Sequence, residues 1–324
     1  MGPRNHFKLR YRVLDRYLAC GNAGWVIARI RPFIRVRPLI ALLLAGAILA
    51  GGARARAQQP DTCTRLLAPG NDIGGAVAGA AANAVICLGA GSYDPFIVLA
   101  DTAEAVTVRG TGEDTVIAAG AREGIAVIGV RRLTLERLRV SGGSPAGVYA
   151  NDASGFRLRD VQVEAAPIGV HVDSGSSAEL TRLTIMGASD VGLLLRRGAT
   201  LTATETRVID SAGVGVAAVA AAGALTLRES EVRGTQGPAI FAGTPGCGNL
   251  GAATLEVPAC FYEDLDSYLS DTRVVLDGVT VRDGPATGIV LFPGVVARIN
   301  RATVLRQELT GLFAWGADVE ITDS

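Results

Sequence analysis

Between Gly124 and Gly243 apolar and polar residues alternate in short bursts, and the bursts recur. Gly147-Val148-Tyr149-Ala150 is followed, after a polar turn, by Phe156-Arg157-Leu158-Arg159-Asp160-Val161-Gln162-Val163. The next copy opens with Gly169-Val170-His171-Val172 and closes with the burst from Ala178 to Ile185. Further copies open at Gly192, Gly215 and, more weakly, Ala239. The second burst begins at Leu133, Phe156, Ala178, Leu201 and Leu225, a period of 22 to 24 residues. Alternation of period two, rich in β-branched residues and without an apolar run long enough for a helix, predicts three very short strands per copy joined by tight turns. Such a unit cannot bury its apolar face alone. Stacking gives every strand a parallel neighbour about 4.8 Å above and below, so the fixed period predicts an all-β solenoid.

A chain of this pattern resembles the right-handed parallel β-helix family, the fold of pectate lyases and many secreted bacterial repeat proteins. The resemblance runs over about residues 62 to 324. It implies a right-handed parallel β-helix of 22–24-residue coils, and it is specific for the fold rather than for one activity. The expected organisation is a leader over 1–57, a cap and first coil over 58–121, and repeats over 122–324 interrupted by an insertion at 244–271. Asn71-Asp72 followed by Ile73, Val77, Ala80, Ala81 and Ala84 predicts a short N-terminal capping helix. The order that follows, a strand at Val85–Leu88, a Gly-rich turn and Tyr93, resembles the entry segment of many pectate-lyase-like chains. At the other end the repeat stops inside a strand pair at Ser324, so either the chain is truncated or the open coil meets another molecule end to end.

Residues 1 to 57 hold eleven of the 31 basic residues and one acidic residue, Asp15. An apolar run from Pro38 to Gly52 ends in Ala55-Arg56-Ala57, the small-x-small signature of signal cleavage before Gln58. Export to the periplasm, cell surface or medium is expected, with no stable membrane span after processing. The remaining chain has 20 Arg, no Lys, 30 acidic residues and one histidine, His171. Its net charge of about −10 argues against nucleic acid as a partner, and a lone histidine excludes any site needing two. Four cysteines remain, an even number suited to an oxidising compartment. Of their three connectivities, neighbour pairing of Cys63 with Cys87 and Cys247 with Cys260 is favoured.

Laying the copies over one another tells which side chains point out. The second strands send out Arg157 beside Glu179 and Arg298 beside Glu320, and the third send out Gln162, Thr184 and Arg207, which reads as solvated sheet. The opening strands differ: Ala126, Tyr149, His171, Leu194, Ala217, Phe241, Val290 and Phe313 form a largely apolar outward column. Such a stripe is expected to be covered. The insertion borders it and carries Phe261, Leu265, Tyr268 and Leu269 at helical spacing, which suggests a disulfide-tied flap. Its Glu263, Asp264 and Asp266 are weak candidates for calcium, because they lack the spacing of a calcium loop; no cofactor is otherwise expected.

One polar group interrupts the apolar column. Tyr149 and His171 are neighbours on successive rungs, and the bordering turn adds Asn151, Asp152, Asp173, Arg196 and Arg197. Tyr and His can act as acid and base, and Arg can grip a sugar carboxylate. The plain alternative is a wet turn. The paired carboxylates of glycoside hydrolases are not evident, since Asp210 and Asp283 lie two rungs apart. The expectation is therefore an exported β-helix scaffold of the cell envelope or medium that contacts carbohydrate, with an acidic polysaccharide as partner. The alternative is a polysaccharide lyase or uronate epimerase using Tyr149 and His171, with Asp152, Asp173, Arg196 and Arg197 as ligand-binding residues. Whether the chain is an enzyme is open at the level of sequence.

Overall fold

A computed structural model describes residues 62–100, 104–219, 223–243 and 272–324. The leader over 1–57, the flap with Cys247 and Cys260, and the calcium candidates Glu263, Asp264 and Asp266 lie outside the described residues. The described chain is a parallel β-helix. Its strands form two ladders, of 18 and 9 strands, and all pairings are parallel between successive coils.

Register follows the sequence repeat. Along the nine-stranded ladder Tyr149 pairs with His171, His171 with Leu194, Leu194 with Ala217, Ala217 with Phe241, and Phe241 with Val290. In the second-strand ladder Phe156, Ala178, Leu201 and Leu225 stack in the same way. Inward positions therefore form columns of like residues: Val148, Val170, Leu193, Val216 and Ile240 on the opening strands, and Val163, Ile185, Val208 and Val232 on the third. All nine are nearly inaccessible. Each such side chain contributes about 1.5–3 kcal/mol relative to exposure.

The glycine that opens most copies has a steric cause, and Ala239 takes its place in one. Gly192 lies over the end of the third strand, where an added Cβ would sit 2.4 Å from Val208 Cγ1 and 2.6 Å from the Gly215 carbonyl oxygen. No side chain fits between those two walls.

Second and third strands run on through a corner of one residue. Arg137, Asp160, Arg182, Glu205, Glu229 and Arg301 occupy it in the left-handed region, with φ between +45° and +56°. That conformation costs a non-glycine residue about 1–2 kcal/mol. The offset is an unbroken hydrogen-bond ladder: at the corner Arg182 N–H donates to the Thr204 carbonyl at 3.1 Å and Glu205 N–H to that of Arg228 at 3.0 Å. Ion pairs between rungs run along the same surface, Arg182 with Asp160, Arg157 with Glu179 at 2.9 Å and Arg298 with Glu320 at 3.6 Å. Exposed pairs of this kind add about 0.2–1 kcal/mol each.

The helix Ile73–Ala78 covers the first coil, burying Ile73, Ala76 and Val77. Asp72 caps it by accepting from Gly75 N–H at 3.0 Å. The Tyr93 hydroxyl, fully buried, donates to the Leu67 carbonyl at 2.9 Å, and a disulfide joins Cys63 to Cys87. Coils on both sides of residue 121 share the same ladders, as Phe96 pairs with Ile125 and Val108 with Leu135. In the last coil Leu312 and Val319 continue the core columns but are only half-buried, and Ile321, in register with buried Ile299, is 43% exposed.

Outside the nine-stranded ladder a second apolar cluster contains Val191, Leu194, Val214, Ala217, Phe241, Val290 and Phe292. The stretch of the outward column from Leu194 to Val290 is thus buried rather than solvated, whereas Phe313 on the last coil is 40% exposed. Phe241, pointing away from the solenoid core, is 1% exposed.

Candidate functional site

Three consecutive opening strands, Ala146–Asn151, Ile168–Asp173 and Val191–Arg196, build the polar patch. Alternation sends out residues two apart on each strand. Tyr149 and Asn151 sit on one rung, His171 and Asp173 on the next, Leu194 and Arg196 on the third. The grid is framed by Ala126 and Ile128 on one side and Ala217 and Val219 on the other. Asp152, Ser174 and Arg197 follow on the turn, all left-handed, with φ of +50°, +43° and +48°.

Asp173 is the centre of this arrangement. Its carboxylate is only 1% exposed, and the Arg197 guanidinium, one rung on, grips it with two bonds, Nε to Oδ1 at 2.8 Å and Nη2 to Oδ2. Ser174 N–H donates to Oδ1 at 2.8 Å. Burial alone would push this carboxyl up; the Arg197 bonds, with His171 and Ser174, outweigh it and hold Asp173 below the usual carboxylate range. Asp173 is therefore an ionised anchor for Arg197 and cannot itself meet a ligand without that pair opening.

His171 is 8% exposed, and its ring centroid lies 5.1 Å from that of Tyr149. Burial, aided by the positive charges of Arg196 and Arg197 and opposed by Asp173, lowers its pKa from 6.5 to about 4. The imidazole is neutral at pH 7. Its Nε2 stands 3.6 Å from Asp173 Oδ2, which would be an ion pair only for the protonated ring and is too long for a hydrogen bond. Tyr149 is pushed up, first by burial and then by the charge of Asp173, so its phenol stays protonated.

Six buried side-chain polar atoms lack a partner among the described residues, and three of them lie here: Asn151 Oδ1, His171 Nε2 and Arg196 Nε. They occupy successive rungs of this one grid. Buried polar groups are nearly always paired in native proteins, so such a concentration marks a place where something else supplies the partners. Arg196 makes no ion pair among the described residues. It is the uncommitted cation of the patch.

The structure thus brings together Tyr149, His171, Asp173, Arg196 and Arg197. Asp152 is exposed on the turn and joins no hydrogen bond or ion pair among the described residues. Asn151 belongs to the site more closely than Asp152 does, and its place two residues after Tyr149 was the signal in the sequence. Among the described residues no group of three or more His, Cys, Asp or Glu could hold a metal ion, and no helix is long and apolar enough to cross a membrane.

Comparison with known proteins bears on the fold. The family described as a right-handed beta helix region matches residues 101–249. Among solved structures, pectate lyase Pel9A superposes with a TM-score of 0.51 at 11% identity, covering 82% of this chain and 80% of the other. A pectin methylesterase from carrot gives 0.45 at 14%, covering 81% and 83%. The A-module of a mannuronan C-5 epimerase from Azotobacter vinelandii gives 0.37 at 13%, covering 77% and 88%. No curated protein sequence matches the chain. At 11% identity the likeness to the pectate lyase is one of fold.

Proposed function

We propose that this right-handed parallel β-helix protein is an exported carbohydrate-binding protein whose ligand is an acidic polysaccharide, held at Asn151, His171 and Arg196 on the outer face of the opening strands. The observation that carries the reading is the row of three unpartnered buried polar atoms, an acceptor, an imidazole nitrogen and a cationic donor, on consecutive rungs. Both residues are half-buried, so with their side chains turned outward a hydroxyl can donate to Asn151 Oδ1 and a sugar carboxylate can accept from Arg196, about 10 Å further along the axis. Tyr149 offers a ring face beside them. The fold of pectate lyase Pel9A supports a carbohydrate role, and the Cys63–Cys87 disulfide supports an oxidising compartment.

The test is titration of the purified chain with polygalacturonate oligomers at fixed low salt. Arg196→Gln removes the free cation and leaves the Asp173–Arg197 pair in place. A charge-assisted bond contributes about 1.5–3 kcal/mol, so affinity should fall at least tenfold while the melting temperature holds. Equal affinity of parent and variant overturns the assignment. Arg197→Ala is a poor substitute, since it strands the buried Asp173 carboxylate and loses stability as well.

A specific observation favours a second reading, a lyase or epimerase. His171 is neutral at pH 7 and stands beside protonated Tyr149, a base next to an acid. With a uronate carboxylate on Arg196, His171 would take the C5 proton; in a lyase the C4–O bond then breaks and Tyr149 protonates the departing oxygen, whereas in an epimerase Tyr149 returns a proton to C5 on its other face. Incubation in deuterium oxide discriminates: exchange into the sugar, or new absorbance from an unsaturated product, indicates turnover, and binding with neither indicates a module.

A further inference from the structure

A separate cavity of about 330 Å³ opens on the other sheet, in the corner between second and third strands. Its floor is made by three successive coils, through Arg137, Asp160 with Gln162, and Arg182 with Thr184. A loop at Thr111–Glu113 forms its end wall. The loop is held to the solenoid, since Gly112 N–H donates to the Arg137 carbonyl at 2.8 Å and Thr111 N–H to Thr115 Oγ1 at 2.9 Å. The cavity is thus preformed by backbone hydrogen bonds.

Its charges cancel. Arg182 is committed to Asp160 through two bonds, Nε to Oδ1 at 2.5 Å and Nη2 to Oδ2 at 2.8 Å. Arg137 and Glu113 are both exposed and make no ion pair among the described residues. The lining therefore presents two guanidinium groups against two carboxylates, with an amide and hydroxyls between them. Alternating donors and acceptors around an electrically neutral cavity suit a ligand whose groups both donate and accept, and hydroxyls do so. A charged ligand would meet one favourable and one unfavourable partner.

We infer that this corner is a second saccharide-binding site, selective for a neutral, hydroxyl-rich sugar of one or two rings. It stands apart from the opening-strand patch in position and in charge preference. Arg137 donates to ring hydroxyls, Gln162 does so with the amide proton left over from its bond to Glu164 Oε2 at 3.2 Å, and Glu113 accepts from them. Arg137 holds the left-handed corner with φ of +56°, so Asn, the non-glycine residue most tolerant of that conformation, is the replacement that keeps the backbone.

The experiment records backbone amide resonances of the whole chain during titration with cellobiose, maltose and mannobiose in turn. At least one should shift Thr111, Gly112, Gln162 and Thr184 in the millimolar range. Arg137→Asn and, independently, Gln162→Ala should weaken that binding at least fivefold and leave polygalacturonate binding unchanged. If none of the three sugars shifts these resonances, the corner is not a neutral-sugar site. Shifts that survive both substitutions overturn it equally, and loss of polygalacturonate binding in Arg137→Asn would show that there is one acidic site rather than two.

Discussion

His171 provides a test of the patch geometry that needs no ligand. Its pKa falls from 6.5 to about 4 on folding, chiefly by burial. A depressed folded value means that the unfolded chain binds the extra proton first. Stability from this group is therefore fully present above pH 6.5 and is lost as pH falls toward 4. The shift from 6.5 to about 4 corresponds to about 3 kcal/mol, most of which is gone at pH 4.5. The residue is 8% exposed, so solvent screening takes little from this figure. Asp173 works in the same direction at lower pH, since its folded value is depressed too. Other carboxylates also titrate, so the measurement is a difference. The parent and His171→Leu, which matches Leu194 on the next rung, are unfolded in denaturant at pH 7 and at pH 4.5. The parent should lose about 2–3 kcal/mol more than the variant between the two pH values. Equal losses would mean that the ring is solvated or already paired, and the orphaned Nε2 would lose its significance.

Two further outcomes test the scaffold. Gly192→Ala forces a methyl group against Val208 and the Gly215 carbonyl and should cost about 1–3 kcal/mol in denaturant unfolding, whereas an unaffected variant would show that the coils can part there. Replacing Cys63 and Cys87 by Ser opens a link across a separation of 24 residues and should cost about 3 kcal/mol, with the earliest hydrogen exchange gained in the cap, at Arg65–Leu67 and Ile73–Ala78.

Much of this protein is written in its alternation. In a solenoid a strand has one degree of freedom that matters, which face each residue takes, and period two decides it. The equivalence of Phe156, Ala178, Leu201 and Leu225 and the stacking of Tyr149 on His171 could therefore be read directly. So could the capping helix, because Asp72 before Ile73 is a local signal. The Gly at the head of most copies was visible as a pattern, but its cause, contact with a third strand about sixteen residues later and with the next coil, is tertiary.

The chemistry of the patch was only half legible. Arg196 and Arg197 are adjacent and identical in type, yet one ends as an anchor and the other as a free cation. The difference comes from backbone geometry. Arg196 ends the strand, while Arg197 takes the left-handed turn position, from which its side chain reaches back one rung to Asp173. Likewise, Gln162 and Thr184 read as ordinary solvated sheet, and nothing in the sequence singled out Arg137. Only the sharp corner, repeated coil after coil and walled by the Thr111–Glu113 loop, turns them into the lining of a cavity. Periodicity specifies facing and register because both are properties of the strand itself. Burial on an outer face, and the partner a charge finds there, depend on how neighbouring coils and loops close over it, and that information exists only once the chain is stacked.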